Sequence, residues 1–210
     1  MTDLPGASDA LRTLAARGVE RTYAKGRLLI EEGDAGDTLY VVLAGRLRAF
    51  ASSADGSREI TYGTYGPGEY VGEMSLDGGP RSANVEALER STCAVVTCAT
   101  LEAFIAEQPA FAFELLAKVI RRARAATLTA RQMALNDVYG RLRLLLQSLA
   151  EPQADGTSLI AERLTHKAIA QRIGCSREMV SRLMKDLERG GHVGTSGASM
   201  RVQVPLPPRW

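Results

Sequence analysis

The chain has 210 residues, 45% of them hydrophobic and 24% charged, with 3 cysteines and 2 histidines. This composition is typical of a globular protein with one large domain or two modest ones, and it excludes wholesale disorder, a collagen-like repeat and a disulfide scaffold. No apolar run approaches the roughly 20 residues that span a bilayer. The first ten residues lack the basic start and apolar core of a secretory signal. Scattered cysteines in an odd number favour reduced thiols and a cytoplasmic protein.

Charge is distributed unevenly along the chain, although the formal net charge is only +2. Residues 1–110 contain 10 Lys and Arg against 16 Asp and Glu, residues 111–145 contain 7 against 2, and residues 146–210 contain 9 against 6. An acidic first half joined to a basic second part indicates two separate roles, and a polyanion would suit the basic part. Chance variation of surface charge is the alternative interpretation.

The first half of the chain predicts a short helix followed by many short strands. Leu11, Leu14, Ala15 and Val19 are the apolar positions of that helix, with Gly18 near its end. From there to residue 97, short apolar runs alternate with turns rich in Gly, Asp and Pro. Strands of this length and spacing predict a small antiparallel barrel or jelly roll.

The middle of the chain is helical by its pattern. A short helix is predicted over 101–106, and a long one over 110–135, where neither Gly nor Pro occurs. Apolar residues recur in the long segment at alternating steps of 4 and 3, which is typical of a two-helix coiled coil, so we expect a homodimer. The alternative is an amphipathic helix packed on its own domain. The predicted seam is Ala112, Leu116, Val119, Ala123, Ala126, Ala130 and Met133, with Arg121, Arg122, Arg124 and Arg131 off it.

The last part of the chain predicts a winged helix-turn-helix. Thr165 can cap a helix that ends at Gly174, and Ser176 can cap a second helix over 177–189. Two helices joined by a three-residue turn that contains Gly are typical of the helix-turn-helix. Segments 193–195 and 200–204 predict the β-hairpin wing. A further helix over 138–150, capped by Asn136-Asp137, precedes this unit.

The exposed start of the helix over 177–189 predicts a surface that reads DNA. In a helix-turn-helix the first residues of the second helix enter the major groove, where Arg can pair with guanine and Glu can accept from cytosine. A solvated helix face with an ion pair between Glu178 and Arg182 is the alternative. The predicted DNA-binding residues are Thr165, Lys167, Ser176, Arg177, Glu178, Ser181 and Arg182.

Three stretches of the sequence resemble the cyclic-AMP receptor protein/FNR family of bacterial transcription regulators. Residues 173–183, IGCSREMVSRL, are close to that family's recognition-helix motif. Residues 32–45 match its barrel signature, and residues 72–83 are similar to the phosphate-binding cassette of cyclic-nucleotide domains. The resemblance covers nearly the whole chain, so the function it implies is transcription regulation rather than catalysis.

The resemblance implies an α+β fold in three parts. They are a cyclic-nucleotide-binding β-roll (jelly roll) over 1–109, a dimerisation helix over 110–136 and a winged helix-turn-helix over 137–210. It also implies cyclic AMP as the expected effector, with no covalently bound cofactor and no membrane. Double-stranded DNA with a pseudo-palindromic site and RNA polymerase are the implied macromolecular partners. From the recognition residues we expect a half-site that ends in GA.

The cassette also has a chemical interpretation of its own. Arg81 supplies a fixed positive fork for phosphate, and Glu73 can accept from a ribose hydroxyl. The alternative is a buried ion pair between Arg81 and Glu73 in a domain without a ligand. Family members that respond to cyclic AMP usually carry a Thr-Ser pair on the dimer helix, where this chain has Ala126 and Thr127, so cyclic GMP, a cyclic dinucleotide or no ligand remain open. The predicted ligand-binding residues are Gly72, Glu73, Met74, Arg81, Ser82, Ala83 and Thr127.

Other classes of function find less support in the sequence. An iron–sulfur sensor needs about four cysteine ligands, and a histidine-ligated haem needs a ligand in the sensor half, whereas His166 and His192 both lie in the DNA-reading part. Redox sensing by Cys93 and Cys98 is a minor option, since such residues are more often core filler. A regulatory subunit that acts on a protein partner is a further alternative, and no enzyme motif is found.

Overall fold

A computed structural model describes residues 4–154, 157–162, 164–196, 199–203 and 205–208. By their contacts these residues form two compact units, one drawn from 1–51 and 61–126 and the other from 52–60 and 127–210. Within the described ranges no helix is both long and apolar enough to cross a membrane. The α+β fold class predicted from the sequence is confirmed.

The first unit opens with helix α1 (Asp9–Ala15), which Ser8 caps by accepting from the backbone N–H of Leu11 at 3.1 Å. Leu11 and Leu14 of this helix are buried, as predicted. Val19, however, is not part of it: this residue begins the first strand, and its side chain is 64% exposed. The spacing of Val19 from Leu11 and Ala15 fits one helical face. The helix nevertheless ends at Ala15, and the chain turns through Gly18 before it reaches Val19.

Two four-stranded sheets make the β-roll. Their orders are β1-β8-β3-β6 and β2-β7-β4-β5. Pairing is antiparallel between β1 and β8, β3 and β8, and β4 and β7. The strands are β1 (Val19–Tyr23), β2 (Leu28–Ile30), β3 (Thr38–Ala44), β4 (Leu47–Ser52), β5 (Glu59–Tyr65), β6 (Tyr70–Val71), β7 (Asn84–Ala87) and β8 (Ser91–Thr97).

Strand β3, inside the first sheet, is buried on both faces, which explains its continuous apolar run, whereas the edge strand β1 is mostly exposed. Successive side chains of a strand point to opposite faces. Leu39 and Val41 join a core cluster with the helices of this unit, whereas Val42 joins the cluster between the two sheets. A strand covered on both sides carries no polar alternation.

Two helices follow the roll. Helix α2 (Cys98–Glu107) begins three residues earlier than predicted because Thr97 caps it by accepting from the N–H of Thr100 at 3.2 Å. Helix α3 (Ala110–Leu135) has the predicted length. Its first turns are anchored on the roll, since Phe111 packs edge-on against Phe104 of α2 with ring centroids 5.3 Å apart.

The second unit is built on three further helices and a small sheet of order β11-β12-β10-β9. Asp137 caps the first of these helices, as predicted, by accepting from the N–H of Gly140 at 2.7 Å. A single core contains residues from all three helices and from the sheet. The elements are α4 (Val138–Leu149), β9 (Glu151–Pro152), β10 (Ser158–Ile160), α5 (His166–Ile173), α6 (Arg177–Arg189), β11 (Val193–Ser196) and β12 (Ser199–Val202).

The predicted wing is present as the antiparallel pair β11 and β12. Its second strand ends at Val202, two residues earlier than expected, and β12 also pairs with β10 on its other side. Residues 197, 198 and 204, which the sequence assigned to the wing, lie outside the described residues.

Candidate functional site

The cassette residues Glu73 and Arg81 lie near the end of β6 together with side chains from β5, β6 and α3. We call this group the cassette site: Tyr65, Tyr70, Glu73, Arg81 and Arg122. Gly72 follows β6 with φ of +98°, in the left-handed region that glycine tolerates. A Cβ at this position would lie 2.6 Å from the Thr38 carbonyl oxygen. Only one turn of 3-10 helix, Glu73–Ser75, follows. Such a short turn offers little dipole, so any attraction for an anion must come from side chains.

Arg81 is the central cation of the site and is only 6% exposed. Its Nη1 donates to the carbonyl oxygens of Thr38 and Gly72 and to Ser75 Oγ, each at 3.0 Å, and its Nη2 donates to Thr38 Oγ1 at 2.9 Å. All these acceptors are neutral, and no carboxylate of the described residues pairs with this guanidinium. A buried cation without a counter-ion is costly, so the arrangement favours the arrival of an anion.

Glu73 is the central anion, and it is 4% exposed. The sequence offered an ion pair with Arg81 as an alternative, but Glu73 Oε1 pairs instead with Nη1 of Arg122 on α3. Arg122 Nη2 also donates to the Tyr70 carbonyl oxygen at 2.5 Å, and its guanidinium lies 4.7 Å from the ring centre of Tyr65. Arg81 is therefore left for a ligand while Glu73 already has a cation.

Three buried polar atoms of the site have no hydrogen-bond partner among the described residues: Glu73 Oε2, Tyr70 Oη and Arg122 Nε. Buried polar atoms are nearly always satisfied in folded proteins, so a cluster of unsatisfied ones calls for a missing partner. Burial raises the pKa of the Tyr70 phenol, which therefore keeps its proton at neutral pH and can donate. The site thus offers one acceptor, two donors and an unpaired cation.

The remaining predicted ligand residues are more peripheral. Met74 is 47% exposed, Ser82 is exposed, and Ala83 is partly buried against the core between the sheets. Thr127 lies exposed on α3 and belongs to the second unit. Its assignment to the ligand stays a prediction.

Sequence reasoning missed Arg122 and Gly36. Arg122 follows Lys118 by four residues, so both lie on the α3 face that meets the roll, and Lys118 pairs with Glu69 at 3.3 Å. The sequence contained a signal for Arg122, because this residue lies outside the predicted coiled-coil seam. Gly36 gave no such signal: a Cβ there would overlap the Arg81 guanidinium, which only the folded structure shows.

The second site is the surface of the helix-turn-helix. Gly174 ends α5 with φ of +66°, and Ser176 caps α6 by accepting from the N–H of Met179 at 3.3 Å. Thr165 caps α5 in the same way through the N–H of Ala168 at 3.1 Å. The turn therefore has the geometry predicted from the sequence, with Ala170 buried where the two helices pack.

Arg177, Glu178 and Arg182 are exposed at the start of α6. The ion pair between Glu178 and Arg182, the alternative weighed from the sequence, is not formed within the part of the chain that is described. These side chains are therefore available to a partner. Lys167 is also exposed, whereas Ser181 is half-buried and its Oγ lies 2.9 Å from His166 Nδ1.

Both parts of the chain match families of known proteins. Residues 20–108 match the family model of the cyclic nucleotide-binding domain, and residues 140–207 match that of the Crp-like helix-turn-helix domain. The chain is 32% identical over 189 residues to the cyclic AMP receptor protein of Thermus thermophilus, a match that covers 87% of this chain and 83% of that protein.

Two further similarities extend over nearly the whole chain. The cAMP-activated global transcriptional regulator Vfr of Pseudomonas aeruginosa is 31% identical over 202 residues, which is 91% of this chain and 92% of Vfr. Among solved structures, the c-di-GMP responsive global regulator CLP of Xanthomonas campestris has a TM-score of 0.78 and 24% identity, and the match covers 92% of this chain and 97% of CLP. The latter similarity shows the shared fold.

Proposed function

The chain belongs to the CRP/FNR family of transcription regulators. We propose that it is a homodimeric regulator whose DNA affinity is controlled by a cyclic mononucleotide, and cyclic AMP is our first candidate. The main observation that supports a nucleotide ligand is the environment of Arg81, whose buried guanidinium has only neutral hydrogen-bond acceptors. The cyclic phosphate would supply the missing negative charge. RNA polymerase is the partner that the family resemblance implies.

The charge of the cassette site fits one phosphodiester. Arg81 and Arg122 contribute two positive charges and Glu73 one negative charge, while Lys118 and Glu69 compensate each other. A ligand with a single negative charge would make the site neutral, which is the state that costs least in a low dielectric. A cyclic dinucleotide would bring two charges. The balance therefore supports a mononucleotide.

The unsatisfied atoms fit the other groups of a nucleotide. Glu73 Oε2 has no partner among the described residues and can accept from a ribose hydroxyl, and Tyr70 Oη can donate to a ligand oxygen. Thr127 is the residue that the family resemblance assigns to the base. The neighbouring position is Ala126, where cyclic-AMP-responsive family members usually have a hydroxyl. This difference affects the choice of base but not the phosphate contacts.

The proposed dimer rests on the outer face of α3. Phe113, Leu116 and Ile120 are 76%, 53% and 41% exposed, although they are large and apolar. They recur at steps of 3 and 4, so they share one helix face. A second copy of α3 would cover this face as in a coiled coil.

We place the conformational hinge where α3 ends and α4 begins. Asn136 and Asp137 separate the two helices, and Arg141 of α4 donates to the Asn136 carbonyl oxygen at 2.9 Å. The same guanidinium donates to the carbonyl oxygen of Ile173, the last residue of α5, also at 2.9 Å. Arg141 therefore links the hinge to the helix-turn-helix. A ligand could act here only by binding one hinge geometry better than another, setting the recognition helices about 34 Å apart.

Calorimetry on the purified chain tests the effector. Wild-type protein is titrated with cyclic AMP, cyclic GMP and cyclic di-GMP, and the same titration is run on Arg81→Gln. We expect cyclic AMP to bind and the Arg81→Gln variant to bind at least about 30-fold more weakly, because removal of one partner of a buried charge pair costs about 2 kcal/mol or more. Arg90→Gln, an exposed arginine of the same unit, is the matched control and keeps wild-type affinity.

Two outcomes would contradict the proposal. A wild-type protein that binds promoter DNA but none of the three nucleotides would be a constitutive binder whose β-roll serves dimerisation. A DNA affinity that changes with thiol oxidation instead would indicate redox control. The structure gives little support to the latter, since burial raises the pKa of the Cys93 thiol to about 12 and leaves almost no reactive thiolate at neutral pH.

A further inference from the structure

The hydroxyl of Ser181 is tied to another helix instead of its own. Its Oγ lies 2.9 Å from Nδ1 of His166, the first residue of α5. A serine inside a helix commonly bonds to the carbonyl four residues earlier, which here is Arg177. No such bond is formed in the described part of the chain. The partner of this hydroxyl is therefore set by tertiary packing.

The contact lies at the edge of the interface between α5 and α6. His166 precedes the buried Ile169 by three residues and Ala170 by four, and Ser181 precedes the buried Met184 by three. Side chains three or four residues apart share a helix face. Both residues are half-buried, so the bond is partly shielded from water at the margin of the exposed surface that carries Arg177 and Arg182.

A hydroxyl that makes one fixed hydrogen bond can act toward a second partner only as a donor or only as an acceptor. If the Ser181 hydroxyl donates to Nδ1, its lone pairs face outward and accept from the amino group of adenine or cytosine. If Nδ1 carries the hydrogen, the hydroxyl accepts from the ring and its own hydrogen faces outward, toward guanine or the O4 of thymine. A freely rotating hydroxyl would serve both kinds of base.

We propose that His166 is a positioning residue for DNA recognition: it fixes the Ser181 hydroxyl, so that one base pair of each half-site is discriminated. This inference rests on the proposed DNA-binding function and adds to it a residue outside the exposed reading surface. His166 acts through Ser181 and contacts no base itself.

The test uses the full chain and a duplex library with randomised half-sites. The preferred site is selected with wild-type protein, and every single base-pair change in it is then measured by fluorescence anisotropy. We expect Ser181→Ala and His166→Phe to lose discrimination at the same base pair by about three- to tenfold, the value of one hydrogen bond. The double variant loses no more than either single one, because both changes remove the same bond.

Controls separate positioning from a general effect on folding. His166→Asn, which can place a polar atom near the position of Nδ1, restores part of the discrimination. Lys167→Ala, at the neighbouring exposed position, weakens binding to all duplexes about equally, as expected of a phosphate contact. Thermal melting establishes that each variant is folded.

The proposal is overturned if His166→Phe weakens binding equally for all sequences, or if it keeps the base preference that Ser181→Ala loses. Should wild-type protein select no sequence from the library in the presence or absence of cyclic AMP, the failure is that of the proposed function. The two failures are therefore distinguishable in one experiment.

Discussion

Arg81 and Glu73 are the buried charges of the cassette site, and they do not pair with each other. Arg81 is held by neutral acceptors, whereas Glu73 pairs with Arg122. Each charge can therefore meet a different group of a nucleotide, phosphate at Arg81 and ribose at Glu73. A direct ion pair between them would have to break before a ligand could bind, and that cost would weaken affinity.

Gly36 is predicted to control the position of Arg81. Its φ is not in the left-handed region, so no such strain opposes alanine, but a Cβ would overlap the Arg81 guanidinium. In Gly36→Ala we expect Arg81 to shift and cyclic AMP affinity to fall on the order of tenfold. Isothermal titration calorimetry measures the change.

The matched control for this substitution is Gly194→Ala. Gly194 also has an ordinary φ, and a Cβ there would have nothing within 4 Å. Nucleotide affinity should be unchanged in this variant. Equal affinities of wild type and Gly36→Ala would show that the guanidinium does not hold the phosphate in the observed position.

At the scale of elements, α3 has two faces with different tasks. One face bears Phe111, Leu115, Lys118 and Arg122, which meet the roll. The other face exposes apolar side chains. Four residues of the predicted seam are exposed: Leu116, Ala123, Ala126 and Ala130. Ala112 and Val119 are half-buried, and the large exposed side chains beside them are Phe113 and Ile120.

The outer face of α3 predicts a dimer that one substitution can disrupt. Leu116→Glu would place an unpaired charge in the centre of the apolar row, and we expect the dimer dissociation constant to rise about a hundredfold or more. Sedimentation velocity at micromolar concentration measures the shift to monomer. Gln132→Glu, an exposed polar position of the same helix, leaves the dimer intact. A wild-type monomer under these conditions would refute the dimer itself.

At the scale of the whole molecule, the proposed function couples two binding events. If a nucleotide raises the affinity for DNA by some factor, DNA must raise the affinity for the nucleotide by the same factor. We expect this factor to be about 5 to 150, the usual range of allosteric coupling. Cyclic AMP titrations with and without the selected duplex measure the effect of DNA on nucleotide affinity. DNA titrations with and without cyclic AMP measure the effect of the nucleotide on DNA affinity.

A substitution at the hinge should reduce this coupling without removing either binding event. Arg141→Ala removes both hydrogen bonds that join Asn136 to the end of α5. We expect the coupling factor to approach 1 while cyclic AMP affinity of the free protein changes little. An unchanged factor in Arg141→Ala would place the coupling elsewhere in the chain.

The elements with strong local signals were predictable from the sequence. The caps at Asp137, Thr165 and Ser176 lie where they were predicted, because a capping residue acts on backbone groups only three positions away. The end of α1 was not, since Val19 satisfies the helical spacing but belongs to β1. Periodicity reports which side chains share a face, and it does not report where the chain turns.

The order of the parts, the turn of the helix-turn-helix and the residue types proposed to bind phosphate and bases could be predicted before the fold was known. These properties depend on neighbours within a few positions, or on side-chain chemistry that does not change on folding. The contact partners of these side chains followed only from the folded chain: Arg122 for Glu73, Gly36 beside Arg81, and His166 for Ser181. Each of these contacts joins residues at least 15 positions apart, and such distances are set by the packing of elements on one another.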